Sequence, residues 1–164
     1  MDYQTTVSVN ENEKKKTKKK EIKVFDQKPT SAFIGASWGA LLSGVVSYCI
    51  GLWTANRLLN EKGYYFTVLL FALFSVISVQ KAVRDKLEGI DVTDIYYSLS
   101  WSTSIISILL LIIGLWNADL ELSEKGFYAM SFLLSIFSAI AVQKNTRDIN
   151  YIEKNQEESQ KELF

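Results

Sequence analysis

The stretch SWGALLSGVVSYCIGLWTANRLLNEKGYYFTVLLFALFSVISVQKAVRD, residues 37–85, returns 63 positions later as SWSTSIISILLLIIGLWNADLELSEKGFYAMSFLLSIFSAIAVQKNTRD, residues 100–148. Twenty-one of the 49 aligned positions are identical without a gap, far more than shared apolar composition produces. Self-similarity at a fixed offset is the mark of a duplicated structural unit. Within each copy an apolar block, a short polar connection, a second apolar block and a charged exit follow in that order. The four blocks, at residues 31–53, 64–80, 96–116 and 127–143, contain no Asp, Glu, Lys or Arg. A bilayer core needs about 20 apolar residues per spanning helix, with roughly 17 to 25 tolerated. The fold expected is therefore an all-α membrane protein of four transmembrane helices, arranged as two tandem parallel-repeat helical hairpins.

Outward from the repeat the charge is unevenly placed. Eight lysines lie in residues 1–30, with the run from Lys14 to Lys20 at their centre; Lys81, Arg84 and Lys86 follow in the central loop, and Lys144, Arg147, Lys154 and Lys161 in the tail. The two short turns hold only Arg57, Lys62 and Lys125. Positive residues favour the cytoplasmic side, so both termini and the central loop are expected there. Each unit then returns the chain to its starting side, and the copies are related by an axis along the membrane normal rather than by inversion. Units are expected at 31–88 and 94–149, preceded by an arm at 1–30 and followed by a tail at 150–164. Both ends are too poor in apolar residues to fold alone, and both are expected to be disordered or mobile. The arm either docks on anionic lipid, at about 1 kcal/mol per basic residue near the surface, or serves as a topology-setting tail. A charge run without a fold or an aromatic platform does not point to nucleic acid.

The mean hydropathy of +0.08 and the zero net charge hide this division, because polar ends dilute very apolar spans. With no histidine and one cysteine, Cys49, the chain has no intramolecular disulfide, no Cys/His zinc site and no histidine relay. No phosphate loop, metal-ligand cluster or nucleophile-and-base pair occurs, so no catalytic residue, metal or cofactor is expected and the protein is read as a non-enzyme. Ionisable side chains are absent from the span interiors, where carriers and proton relays place them. Passive conduction stays open, since Ser43, Ser47, Ser102, Thr103, Ser104 and Ser107 could line a polar path or bond helix to helix.

Three residue sets stand out. Small residues recur every four positions at Ser31, Gly35, Gly39, Ser43, Ser47 and Gly51. They are read as a packing face, within the monomer in preference to between monomers, so that Gly39→Ile is expected to harm folding or assembly. Glu61-Lys62-Gly63 recurs as Glu124-Lys125-Gly126. It is read as a tight hairpin connection capped by Asn60 and Ser123, or else as an acidic pair, Glu61 with Glu124, open to a cation or a partner. Gln80, Lys81, Arg84 and Asp85 recur as Gln143, Lys144, Arg147 and Asp148. Here Lys81 with Asp85 and Lys144 with Asp148 are spaced as i,i+4 ion pairs, the cations anchor at headgroups, and the two glutamines could bond to one another.

The doubled Gly-Leu-Trp, Glu-Lys-Gly-[Tyr/Phe]-Tyr and Gln-Lys-x-x-Arg-Asp resemble the YiaA/YiaB-type inner-membrane proteins, which carry a two-helix domain. The resemblance covers residues 31–149 and leaves out the lysine-rich arm. It implies a bacterial inner-membrane location and brings no activity, cofactor or catalytic residue. The function expected is a structural or interaction component of that membrane, partnered by lipid, by further copies of itself or by another envelope protein. The alternative is a small oligomeric channel or facilitator for a polar solute.

Overall fold

The computed structural model describes residues 29–161, with side chains through 157. The lysine-rich arm lies outside the described residues but for its last two. Residues 32–144 form one compact unit; residues 145–161 belong with 29–31 to a second. Four helices make up the described chain: α1 (Ser31–Thr54), α2 (Leu59–Leu87), α3 (Asp94–Asn117) and α4 (Leu122–Lys161). All four are long and apolar enough to cross a membrane. At 1.5 Å per residue the 24 residues of α1 and of α3 reach about 36 Å, beyond the roughly 30 Å hydrocarbon core. This is a helical membrane protein of two repeated two-helix units.

The duplication extends to burial. In α1 the buried residues are Ser37, Gly44, Tyr48 and Leu52, and in α3 they are Ser100, Ser107, Leu111 and Leu115, the same four positions one repeat on. In α2, Tyr65, Val68, Leu69, Ala72, Ser75, Val76 and Val79 are matched by Tyr128, Ser131, Phe132, Ser135, Ser138, Ala139 and Val142 in α4. The faces turned away from this core carry Leu70, Phe74, Leu133 and Phe137, exposed as lipid-facing residues are.

Helices pack across the repeat boundary. A Cβ on Gly44 of α1 would lie 2.7 Å from Ser135 Oγ and 2.9 Å from Ser135 N of α4. On Gly51 it would meet Phe127 at 2.8 Å and Tyr128 at 3.2 Å; on Gly114 of α3 it would meet Tyr64 and Tyr65 of α2 at the same two distances. The first helix of each copy thus lies on the second helix of the other, and α2 packs on α3 along an extended contact. The copies interlock as a pseudo-symmetric pair, with α2 and α4 more buried than α1 and α3.

The small-residue stripe of α1 is corrected by this geometry. A Cβ added at Gly35 or Gly39 would have nothing within 4 Å, and Ser31, Gly35, Gly39 and Ser43 are all exposed; only Ser47 and Gly51 are half-buried. The reason is angular. At about 100° per residue a four-residue step advances about 40°, so Gly35 and Gly51 point about 160° apart, whereas the seven-residue series Ser37, Gly44, Gly51 drifts by only about 40° in all. The contact face follows the second series.

Five serines on the packed faces turn their hydroxyls back on their own helices rather than across to a neighbour. Ser75 donates to Phe71 O at 2.7 Å, Ser78 to Phe74 O at 2.9 Å, Ser100 to Tyr96 O at 2.8 Å, Ser107 to Ser104 O at 2.7 Å and Ser135 to Ser131 O at 2.8 Å. Each satisfies its O–H within its own helix, the remedy open to a hydroxyl with no water nearby. Their contribution at the interfaces is small volume.

One boundary differs from expectation, the start of the tail at residue 150. Helix α4 continues through the polar stretch after Ile149 to Lys161, a segment with neither Gly nor Pro and rich in Glu, Lys and Gln, which are good helix formers. At the end of α2, Gly89 (φ 75°) takes the left-handed conformation, with Gly89 N bonded to Lys86 O at 3.4 Å and Ile90 N to Asp85 O at 2.9 Å. That pair of bonds closes the helix in a Schellman motif.

Candidate functional site

The end of the bundle that carries both hairpin turns gathers the polar groups. Glu61-Lys62-Gly63 and Glu124-Lys125-Gly126 are not the turns themselves, because α2 begins at Leu59 and α4 at Leu122. Lys62 N already bonds to Leu58 O at 3.1 Å, and Lys125 N to Glu121 O at 3.0 Å, the first bonds of their helices. The chain reverses in residues 55–58 and 118–121, and Gly63 has no positive φ. Asn60 and Ser123 are the second residues of their helices rather than caps. Leu58 holds the cap position of α2 and makes no side-chain cap bond; in α4 Glu124 reaches back to accept from Glu121 N at 3.2 Å. Glutamate in a first turn suits the helix dipole and a reciprocal cap, which accounts for its recurrence.

Glu61 and Glu124 do not form an acidic pair. They line separate clefts that the repeat relates to each other. The first, about 400 Å³, lies between α2 and α3; the second, about 630 Å³, lies between α1 and α4. Gly114, Asn117, Ala118, Asp119, Asn60, Glu61, Tyr64 and Tyr65 in the first correspond to Gly51, Thr54, Ala55, Asn56, Ser123, Glu124, Phe127 and Tyr128 in the second. The lining differs at the charged positions. Arg57 enters the first cleft, and its counterpart in the repeat is Leu120.

Arg57 joins the two turns. Its Nη2 donates to the backbone carbonyl of Asp119, and Nη1 lies 3.7 Å from Glu61 Oε2. Beside it Lys62 Nζ donates to Trp53 O at 3.1 Å, and Tyr64 Oη donates to Leu110 O at 2.7 Å, tying α2 to α3. Below the clefts sits an aromatic cluster. Tyr65 and Tyr128 stack at 6.0 Å across the pseudo-symmetric boundary, and the fully buried Tyr48 meets Tyr128 edge-on at 5.5 Å while donating to Tyr65 O at 3.2 Å. Trp53 and Trp116 project outward from the ends of α1 and α3. Trp53, Tyr64, Tyr65, Trp116, Phe127 and Tyr128 cluster at this end of the sequence pattern as interfacial aromatics do, yet Tyr65 and Tyr128 are interior and Trp53 and Trp116 are not. The signal that could have found Arg57 is its departure from the repeat.

The charged exit motif also pairs differently. Asp85 is held by its neighbour Arg84 through Nε at 3.0 Å and Nη2 at 2.7 Å, and Asp148 by Arg147 at 3.2 and 3.1 Å, in place of Lys81 and Lys144, which are exposed. In each pair two guanidinium donors converge on one carboxylate oxygen, Oδ1, a planar two-donor contact that an ammonium does not present. Gln80 is half-buried and Gln143 exposed, and they are not bonded to one another among the described residues. Lys86 Nζ lies 4.6 Å over the Tyr97 ring and links the end of α2 to the start of α3. Among the described residues no group of three metal-ligating side chains comes together.

A family model described as the yiaA/B two helix domain matches the chain twice, at residues 33–85 and 96–148. Inner membrane protein YiaA of Escherichia coli (strain K12) is 60% identical over 117 residues, covering 71% of this chain and 81% of that one. Inner membrane protein YiaB of the same organism is 33% identical over 94 residues, 57% of this chain and 80% of its own length. YubF of Bacillus subtilis (strain 168), an uncharacterized membrane protein, is 37% identical over 65 residues, 39% of this chain and 75% of its own. No solved structure matches.

Proposed function

This chain belongs to the yiaA/B two-helix-domain family, and from that premise we propose that it is a non-enzymatic structural or interaction component of the bacterial inner membrane, with both termini and the central loop in the cytoplasm. Lipid, further copies of the chain or another envelope protein are its partners. The names of the Escherichia coli relatives support the location, and the bias of lysine and arginine toward the termini and central loop supports the orientation. The observation that carries the role is the closed state of the interior hydroxyls. Ser75, Ser100, Ser107 and Ser135 spend their donors on their own helices, and these small buried side chains sit at the helix contacts, which supports packing over conduction. Conduction needs groups that replace a solute's hydration along the pore.

Two measurements test this reading. Protein reconstituted into liposomes is expected to pass glycerol, urea and monovalent cations no faster than protein-free vesicles. A saturable flux above that baseline overturns the structural role in favour of a channel. Orientation is tested at Ser123, which is exposed at the turn end. In a Cys49→Ala background, Ser123→Cys is expected to react with an impermeant maleimide in intact cells, and labelling that waits for lysis reverses the topology.

A further inference from the structure

We propose that the cleft built around Arg57 is a binding site for one phosphoethanolamine headgroup of a membrane lipid. This deepens the reading of the protein as a component that engages its membrane, and rests on that reading only for the presence of lipid. The cleft lies at the turn end beside the exposed Trp53 and Trp116, residues that sit at headgroup level in membrane proteins. Its volume of about 400 Å³ falls in the range of small-molecule sites.

The lining carries both signs of charge in balance, Arg57 and Lys62 against Glu61 and Asp119, and includes Asn60 and Asn117, the latter with Nδ2 given to Ile113 O at 2.8 Å. Each charged group keeps bonding capacity in reserve. Arg57 has five N–H donors; one is given to the Asp119 carbonyl, and the approach to Glu61, at 3.7 Å, is an ion pair too long for a hydrogen bond. The Arg57 side chain is only 23% exposed, so water competes weakly for the remaining donors. Lys62 gives one of its three donors to Trp53 O. Among the described residues the Glu61 carboxylate holds only that long ion pair and the Asp119 carboxylate makes none.

A phosphate suits the two cations, and a primary ammonium a few atoms away suits the two carboxylates. Headgroups of other kinds fit less well. An anionic glycerol headgroup leaves Glu61 and Asp119 facing added negative charge, and a choline headgroup brings no N–H to donate to them. The twin cleft acts as a built-in control. It has the same backbone frame, yet Glu124 is its one charged lining residue, and that carboxylate already accepts from Glu121 N. One site per chain follows, not two.

The test is native mass spectrometry of the full chain released from nanodiscs of mixed phosphatidylethanolamine, phosphatidylglycerol and phosphatidylcholine. One phosphatidylethanolamine per chain is expected to survive release in preference to the other two. Glu61→Gln and Arg57→Gln are each expected to lower that retention about tenfold, the equivalent of one charge-assisted contact. Circular dichroism melting of both variants reports any loss of fold, and the wild-type competition among the three lipids decides without a variant. Equal retention of all three lipids, preference for phosphatidylglycerol, or two bound lipids per chain overturns the proposal. Displacement of the lipid by soluble glycerophosphoethanolamine at micromolar concentration overturns the lipid as occupant and assigns the cleft to a soluble zwitterion. None of these outcomes alters solute flux, so the failure of this site is distinguishable from failure of the proposed function.

Discussion

Gly44→Ala is expected to lower stability by about 1–3 kcal/mol, and Gly44→Leu to prevent α1 from seating on α4, while Gly39→Ile leaves the melting of the folded chain within about 0.5 kcal/mol of the parent. The first new methyl would stand 2.7 Å from Ser135 Oγ, 2.9 Å from Ser135 N and 3.1 Å from Ser131 O. Two of those atoms are backbone, so relief requires that α1 and α4 move apart along their length. Lipid is as apolar as the added carbon, and no hydrophobic gain offsets the lost contact. At Gly39 the same methyl meets nothing within 4 Å and enters lipid. Thermal melting in mild detergent, followed by tryptophan fluorescence, compares the variants. Equal midpoints for Gly44→Ala and Gly39→Ile would remove the α1–α4 contact from the account; a change confined to oligomeric state in Gly39→Ile would assign the exposed half of the stripe to contacts between copies.

The contrast between those two glycines marks how far the sequence could be read. Spans, their number and their duplication were legible because the absence of charge over some 17 to 23 residues admits few alternatives to a membrane helix. The pairing of α1 with α4 and of α2 with α3 was not. Lipid does not distinguish the two sides of an apolar helix, so an interface leaves no polar-to-apolar stripe in the sequence, only a placement of small residues. Two such placements coexist in α1, one at every fourth residue and one at every seventh. Only helix geometry separates them, and the more conspicuous was the wrong one for contacts within the chain.

The turn end was legible in part for a related reason. Duplication drew attention to Glu-Lys-Gly, which recurs because each helix needs the same start. The clefts differ chiefly where the copies diverge, at Arg57 against Leu120, Asp119 against Asn56 and Tyr64 against Phe127, although Lys62 enters only the first cleft and its counterpart Lys125 is identical. A repeat advertises shared structural demands, and individual chemistry shows as a departure from it. Arg57 was visible in the sequence as one of three cations in the turns, but its reach to the Asp119 carbonyl depends on the two turns being neighbours, which no local pattern encodes.

Tyr48 combines both lessons, and substitutions there are expected to fall in the order Ala, Leu, Phe from most to least destabilising. Its counterpart in the repeat is Leu111, so an aliphatic side chain is tolerated at the equivalent place. Tyr48 itself is fully buried where α1, α2 and α4 meet, edge-on to Tyr128 at 5.5 Å and tilted against Phe132 at 6.2 Å. Tyr48→Ala empties that junction. Aromatic-to-alanine changes in soluble cores cost about 3–5 kcal/mol, and since the unfolded helix here remains in lipid, the transfer part falls away and about 2–4 kcal/mol of lost packing remains. Tyr48→Phe keeps the ring contacts and loses only the donation to Tyr65 O, a carbonyl inside α2 with a helical partner of its own, so about 0.5–1.5 kcal/mol is expected. Tyr48→Leu lies between, filling part of the space without the edge-to-face geometry, which contributes about 0.5–1.5 kcal/mol beyond area. Unfolding of the three variants in detergent, read against the parent, gives the order directly. If Phe proves as damaging as Ala, the hydroxyl rather than the ring holds the junction, through a bond from α1 to α2 that only the first copy possesses.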